Sequence, residues 1–271
     1  MKIKTNYHTH NYRCGHATGS TDDYCQAGIK AGLEVLGISD HVPFPDNRWH
    51  EMDNKGKRLQ IRMLFSELDS YSNEVESAKQ KYQNQLKVLK SFECEYLPEF
   101  ANFYKEELLG RLACDYLVGS VHYIKVNQEW VDPRRFIVGA NELAAYRDLV
   151  IETIESGLFG FIAHPDLVFS NYLQWDSAAI SCSREILECA QKNKMPLEIN
   201  GQGMRARKVE RNNISSWRYP VAEFWNLASE YDLKIIVNSD AHEPELVVDN
   251  VEIGRQFAQT FGISVTETLN F

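Results

Sequence analysis

The chain has 271 residues, 44% of them hydrophobic and 25% charged, with a formal charge of −9. That length buries one large core and the composition is that of an ordinary globular protein. The negative balance argues against a nucleic-acid groove or an anionic membrane surface as partner.

Met1-Lys2-Ile3-Lys4 runs directly into a strand without a signal-peptide pattern, and no apolar run reaches the roughly eighteen residues of a membrane span. The six cysteines (Cys14, Cys25, Cys94, Cys114, Cys182, Cys189) show no CxxC spacing, which fits reduced thiols and a cytoplasmic enzyme. In the opening strand, Ile3 to His10, period two points His8 and His10 the same way and Thr9 away. Two imidazoles at a strand end suit one metal ion. A helix is predicted over 22–31 with Ser20 or Thr21 as N-cap. A buried strand, 34–41, then ends in Asp40-His41. Pro43, Pro45, Asp46, Asn47, Trp49, Asp53, Asn54 and Gly56 mark 43–56 as a loop or lid. Ile61, Leu64, Phe65, Leu68, Tyr71 and Val75 recur at three- and four-residue intervals and predict a helix. A third strand follows over 86–93, then a helix near 99–109 and a fourth strand, 115–122, ending in His122. A loop around Trp130 to Pro133 leads to a helix over about 140–156, and strand five, 159–163, delivers His164 before Pro165. Helix 177–193, strand 196–200, a glycine- and arginine-rich loop over 201–218, helix 220–231 and strand 234–238 follow. The tail, 251–261, is predicted helical.

Seven strands alternating with helices imply a parallel sheet in an α/β fold. All seven end in polar residues, so their C-terminal ends converge as in a TIM-like barrel. An open doubly wound sheet would instead concentrate its site at one switch point. No linker or repeat interrupts the chain, and residues 1–271 read as a single domain. Of eight histidines, seven fall in short polar motifs: His8, His10, His16, His41, His122, His164 and His242. Only His50 looks incidental. Seven core histidines, each needing its own partner, are less economical than one shared site.

His8-Thr9-His10, His16, Asp40-His41, Glu93, His122, His164 and Asp240-Ala241-His242 resemble, in order and context, the polymerase-and-histidinol-phosphatase (PHP) domain family. Ser39 to Phe44, and Glu198-Ile199-Asn200 followed by Gly203-Met204-Arg205, are similar to its histidinol-phosphatase branch. The resemblance implies a distorted (β/α)7 barrel holding three divalent metal ions. His8, His10, Glu93 and Asp240 would hold the first; Glu93 would bridge to the second, completed by His122 and His164; His16, His41 and His242 would bind the third. Glu93 aligns with the family's glutamate although Ser91 stands where the family usually has Gly; Glu95, two residues on and on the same face, is the alternative ligand or else a partner behind the ligands. Nitrogen and oxygen donors without thiolate suit zinc, manganese or iron.

The implied reaction is hydrolysis of the small-molecule ester L-histidinol phosphate, a step of histidine biosynthesis, by a metal-bridging hydroxide. Arg205 and Arg207 are candidates to clamp the phosphoryl group, and Asn200 is counted with them as a substrate contact. Asp46 in the lid is the candidate for the substrate's cationic end. Asp40 or His242, or a metal-held water, would give the leaving oxygen its proton. Two other readings stand beside this one: a PHP phosphoesterase for another small ester or nucleotide, and a metal-binding module without turnover. Cys-x5-Arg, Asp-x-Asp, P-loop and Gly-x-Ser-x-Gly motifs are absent from the sequence.

Overall fold

The computed structural model describes residues 2–54, 57–136, 139–211 and 213–271. In chain order the strands are β1 (Thr5–Asn6), β2 (Val35–Ile38), the hairpin β3 (Glu51–Asn54) and β4 (Lys57–Gln60), β5 (Lys87–Lys90), β6 (Glu93–Glu95) and β7 (Val118–Ser120). They continue with the hairpin β8 (Ile124–Val126) and β9 (Glu129–Val131), then β10 (Phe161–Ile162), β11 (Leu197–Asn200), the hairpin β12 (Val209–Arg211) and β13 (Ile214–Ser216), and β14 (Ile235–Asn238). Among the described residues seven α-helices stand between or after them: α1 (Thr21–Ala31), α2 (Leu68–Tyr82), α3 (Ala140–Glu155), α4 (Ser177–Asn193), the short α5 (Gly201–Arg205), α6 (Ala222–Ala228) and α7 (Val251–Thr260).

The strands outside the hairpins pair in parallel as two sheets, ordered β1-β2-β5 and β14-β11-β10-β7-β6. Their edges meet at the C-terminal ends. His10 N donates to Ala241 O at 2.9 Å and Val42 N to Glu93 O at 2.9 Å, with parallel bridges Thr9–Ala241 and His41–Glu93. Each junction lies beside a histidine of the sequence motifs, so the seams of the sheets are also where the polar groups gather.

Local signals place the helices. Ser20 caps α1 in a reciprocal box with Asp23, and Gly32 ends it at φ +81°. Asp176 accepts from Ala178 N and Ala179 N to open α4. The long helices lay Tyr71 and Val75, Tyr146 and Val150, Ile186 and Leu187 against the strands in the main core. A smaller core of Tyr7, Leu89, Tyr116, Val118, Phe161, Ala163 and Ile236 sits beneath the histidines, with the His8 ring 6.4 Å from that of Phe161. The tail closes the opposite end: Thr266 N donates to Ile235 O, Leu269 N to Tyr7 Oη, and the Phe271 ring stacks on Tyr116 at 4.2 Å.

Several expectations are corrected. The helix expected from Ile61 begins at Leu68 after a 3-10 turn, because Glu67 caps Leu64 N and leaves Ile61 and Leu64 outside it. The third strand divides at Ser91-Phe92, where Glu93 N shifts to the Ser39 and Asp40 carbonyls. The loops at 43–56, 130–133 and 201–218 each give residues to a hairpin, and 201–205 is helical. Gly56 and the side chain of Asp53, both counted in the lid, lie outside the described residues. Among the described residues no helix is long and apolar enough to cross a membrane.

Gly37 in β2 has no room for a side chain: an added Cβ would sit 1.9 Å from Tyr116 Oη and 2.8 Å from Tyr7 O. Gly37→Ala is expected to lower unfolding stability by about 1–3 kcal/mol through overpacking, read as a shift of the urea midpoint at unchanged slope.

Candidate metal centre

Glu93 is the meeting point. It is 1% exposed at the start of β6, and its two oxygens face different groups. Oε1 lies 3.0 Å from His164 Nε2 and 3.3 Å from His122 Nε2. Oε2 lies 3.0 Å from His41 Nδ1, 3.5 Å from His10 Nε2 and 3.6 Å from His8 Nε2. Asp240 Oδ1 joins the second group, 3.1 Å from His10 Nε2 and 3.6 Å from His8 Nε2. His16 and His242 bring their Nε2 atoms to 3.2 Å of one another at the rim. The ligating atoms of His10, His41 and His242 also lie within 4.8 Å of one another, so His41 stands between the rim pair and Glu93. His50 is elsewhere, bonded to Arg62 O.

Second hydrogen bonds fix which nitrogen carries the proton. His16 Nδ1 donates to Cys14 O at 3.0 Å and His242 Nδ1 to Asp240 O at 3.1 Å. Carbonyls only accept, so both Nε2 atoms carry lone pairs, and these face each other. His8 Nδ1 on Glu198 (2.9 Å) and His10 Nδ1 on Asp40 (3.4 Å) likewise turn two Nε2 lone pairs together at 3.1 Å. Such pairs need a cation between them. Protons meet part of that need. Burial opposes charge on His10 and His122, yet the carboxylates beside them prevail and push each up to about 9. Burial and the His10 charge hold His41 and His242 well below the ordinary imidazole value. Glu93 is drawn the other way: burial would raise it, but His122, His8 and His41 hold it well below the carboxylate range. A cluster that accepts protons at one side and refuses them at the other fits divalent cations bound by nitrogen and oxygen.

A ring of buried polar groups supports the ligands. Glu198 is 0% exposed and accepts from His8, His164 N, Asn200 and Asn238. Asn200 donates to Asp240 Oδ2 and caps α5. Glu95 accepts from His122 Nδ1 at 3.0 Å and pairs with Arg62. His164 and Asp240 adopt left-handed backbone, φ +32° and +48°, a costly geometry for side chains other than Gly. Arg205 steadies the second of them by donating to Ser239 O and Asp240 O.

With this geometry in view, the comparisons with known proteins are direct. The PHP domain model matches residues 6–202. The chain belongs to the PHP domain family.

The match ends before Asp240 and His242, which the fold brings to the same centre. A Deinococcus radiodurans protein named "Probable histidinol-phosphatase" is 31% identical over 93% of this chain and 88% of its own length. Two solved structures share the PHP fold. The HisK protein of Listeria monocytogenes superposes with a TM-score of 0.73 at 20% identity, covering 92% of this chain and 99% of its own. Histidinol phosphate phosphatase of Lactococcus lactis, complexed with zinc, L-histidinol and phosphate, gives a TM-score of 0.70 at 15% identity, covering 97% of this chain and 95% of its own.

Beside the PHP centre opens a cavity of about 250 Å³ lined by His16, His41, His122, His164 and His242 together with Arg134, Arg135, Arg218, Tyr123 and Tyr219. Its size suits a small molecule. The arginines differ from those expected from sequence. Arg205 turns inward to the backbone, and Arg207 is exposed away from the lining. Asp46 pairs with Arg48 at the surface and does not line the cavity. Asn200 is held by Glu198 and Asp240 beneath the ligands. Asp40 is 0% exposed behind His10 and accepts from His41 N, and His242 lines the cavity with its Nδ1 on Asp240 O. Sequence reasoning missed Glu198 and Arg62 as supports and Arg134, Arg135 and Arg218 as lining. For Glu198 a signal existed: it alternates with Asn200 at period two, as His8 does with His10.

Divalent metal is expected to raise the unfolding free energy by about 2.7 kcal/mol for one ion at a hundredfold excess over its Kd, with chelation reversing the gain. Glu93→Gln removes most of that gain and His50→Ala leaves it intact, as calorimetric unfolding with and without zinc would show.

Proposed function

We propose that the chain is a metal-dependent phosphomonoesterase that hydrolyses L-histidinol phosphate to L-histidinol and phosphate. The observation that carries this reading is the likeness, over nearly the full length, to the Deinococcus protein named for that activity. The lactococcal protein of the same fold, which binds zinc, L-histidinol and phosphate, supports it.

Three divalent ions, zinc, manganese or iron, are assigned to three donor sets. His8, His10 and Asp240 share Glu93 Oε2; His122 and His164 share Glu93 Oε1; His16, His41 and His242 form the rim set. The two faces of the Glu93 carboxylate support the first two sets, and the opposed His16 and His242 lone pairs support the third. Held by these residues, such ions would lower the pKa of water and neutralise phosphoryl charge, the chemistry a monoester hydrolysis requires. All six cysteines are buried and free, which leaves the donor set nitrogen and oxygen and fits a cytoplasmic protein.

The chain's own residues then bind and orient. Arg218 lines the cavity, and its buried Nε has no hydrogen-bond partner among the described residues. Arg134 and Arg135 share one carboxylate, Asp132. These three guanidinium groups supply the positive rim that a dianionic phosphate needs on a chain of net charge −9. Asn200, Glu198 and Asp40 orient ligands. His242, which lines the cavity, and Asp40 are the candidates among this chain's residues to give the leaving oxygen its proton. The two parallel sheets are read as one distorted (β/α)7 barrel, with β5 and β6 counted as a single broken strand, and residues 1–271 as one domain; the backbone bonds at both sheet edges support this.

The test is phosphate release from L-histidinol phosphate by metal-quantified protein, beside sugar phosphates and nucleotides. Fast, selective turnover lost in His122→Ala is expected. Turnover of a different ester alone would keep the chemistry and overturn the substrate; no turnover on any ester would leave a metal-binding module. Arg218→Ala is expected to lower kcat/KM roughly 10–100-fold, the equivalent of about 1.5–3 kcal/mol for a hydrogen bond to a charged group, whereas Arg207→Ala changes it little.

A further inference from the structure

Arg62 belongs to no donor set and does not sit in any of the sequence motifs, yet it is 2% exposed and lines the cavity floor. It follows β4, and its whole fork is engaged. Nη1 and Nη2 grip the two oxygens of Glu95 at 3.1 and 2.9 Å. Nη1 also donates to Val42 O at 2.9 Å, and Nε to Trp49 O at 3.0 Å. The guanidinium lies over the Phe44 and Trp49 rings, 5.3 and 5.5 Å from their centroids. Glu95 in turn accepts from His122 Nδ1 at 3.0 Å, on the side of the ring away from Glu93.

Those contacts form a single line from the 42–49 loop to the metal centre. A carboxylate gripped by both arms of a guanidinium is an acceptor only, so the His122 nitrogen that meets it is the donor. That leaves His122 Nε2, which faces Glu93 at 3.3 Å, as the nitrogen open to a metal ion. The same guanidinium ties down the carbonyl of Val42, the residue after His41. We infer that Arg62 is a positioning residue for the metal centre, acting through Glu95 to hold His122 in its ligating tautomer and orientation while anchoring the 42–49 loop to the same carboxylate.

This inference rests on the metal-site reading above, and its test needs no substrate. Zinc stoichiometry and affinity are measured by competition with a chromophoric chelator on full-length wild type, Arg62→Met, Glu95→Gln and the double variant. His122→Ala identifies the ion that depends on His122. Arg62→Met is expected to weaken that ion roughly 10–100-fold, the usual effect of losing a partner behind a ligand, while the remaining zinc binds as in wild type. The double variant is expected to lose no more than Glu95→Gln alone, since Arg62 acts through Glu95. Should Arg62→Met fail to fold, Arg62→Lys keeps the charge without the fork and carries the same expectation. Additive losses, a uniform weakening of every ion, or a folded Arg62→Met chain with unchanged zinc affinity would each overturn the inference. Wild type that binds no zinc would instead overturn the metal-site reading itself.

Discussion

Everything at the polar end of this fold depends on one carboxylate shared among five imidazoles. Glu93 gives one oxygen to His122 and His164 and the other to His8, His10 and His41. Buried imidazoles drawn from four strand ends would otherwise meet only one another, and a carboxylate taken into the interior is costly unless paired. The backbone accommodates this: the third strand breaks at Ser91-Phe92 so that Glu93 N can bond the Ser39 and Asp40 carbonyls. Position is obtained by giving up regular pairing.

The outer partners show how such a cluster stays ordered. Glu198, Asp40, Glu95 and two backbone carbonyls each accept from the outward Nδ1 of one histidine. Each inward nitrogen is thereby left as the one that faces the cation, whether a proton or a metal ion, which is preorganisation in its plainest form. The supports are themselves supported: Arg62 grips Glu95, Asn200 and Asn238 hold Glu198, and Arg205 steadies the left-handed turn at Asp240. Strain at His164 and Asp240 is thus offset by hydrogen bonds elsewhere in the same layer.

Sequence reading reached the parallel strands, the large helices and the histidine motifs because each has a local signature. Period two placed His8 with His10, and the N-cap signal at Ser20 placed α1. What stayed hidden depends on distance in space. Arg205 and Arg218 sit in one arginine-rich loop and look alike as letters. The fold turns Arg205 to the Ser239 and Asp240 carbonyls and Arg218 to the cavity. Arg62 was equally hidden, because its partners Val42, Trp49 and Glu95 lie on two other segments. The hairpins escape sequence reading because their strands are three or four residues long, too short to show a period of two.

The three hairpins have a consequence of their own. They rise at the same end of the molecule as the candidate ligands, yet none of those ligands lies on them. β3–β4 leads into Ile61 and Arg62, β8–β9 into Arg134 and Arg135, and β12–β13 into Arg218 and Tyr219, all on the cavity wall. The reactive centre is thus carried by the frame, and the walls that meet a guest molecule are carried by separate, locally closed appendages. A graft that exchanges β8–β9 or β12–β13 for a hairpin of different length would alter which molecules fit without disturbing the centre, whereas β3–β4 also carries the chain to Arg62 and its hold on Glu95. By that division a single scaffold can be retuned for new guests, one wall at a time.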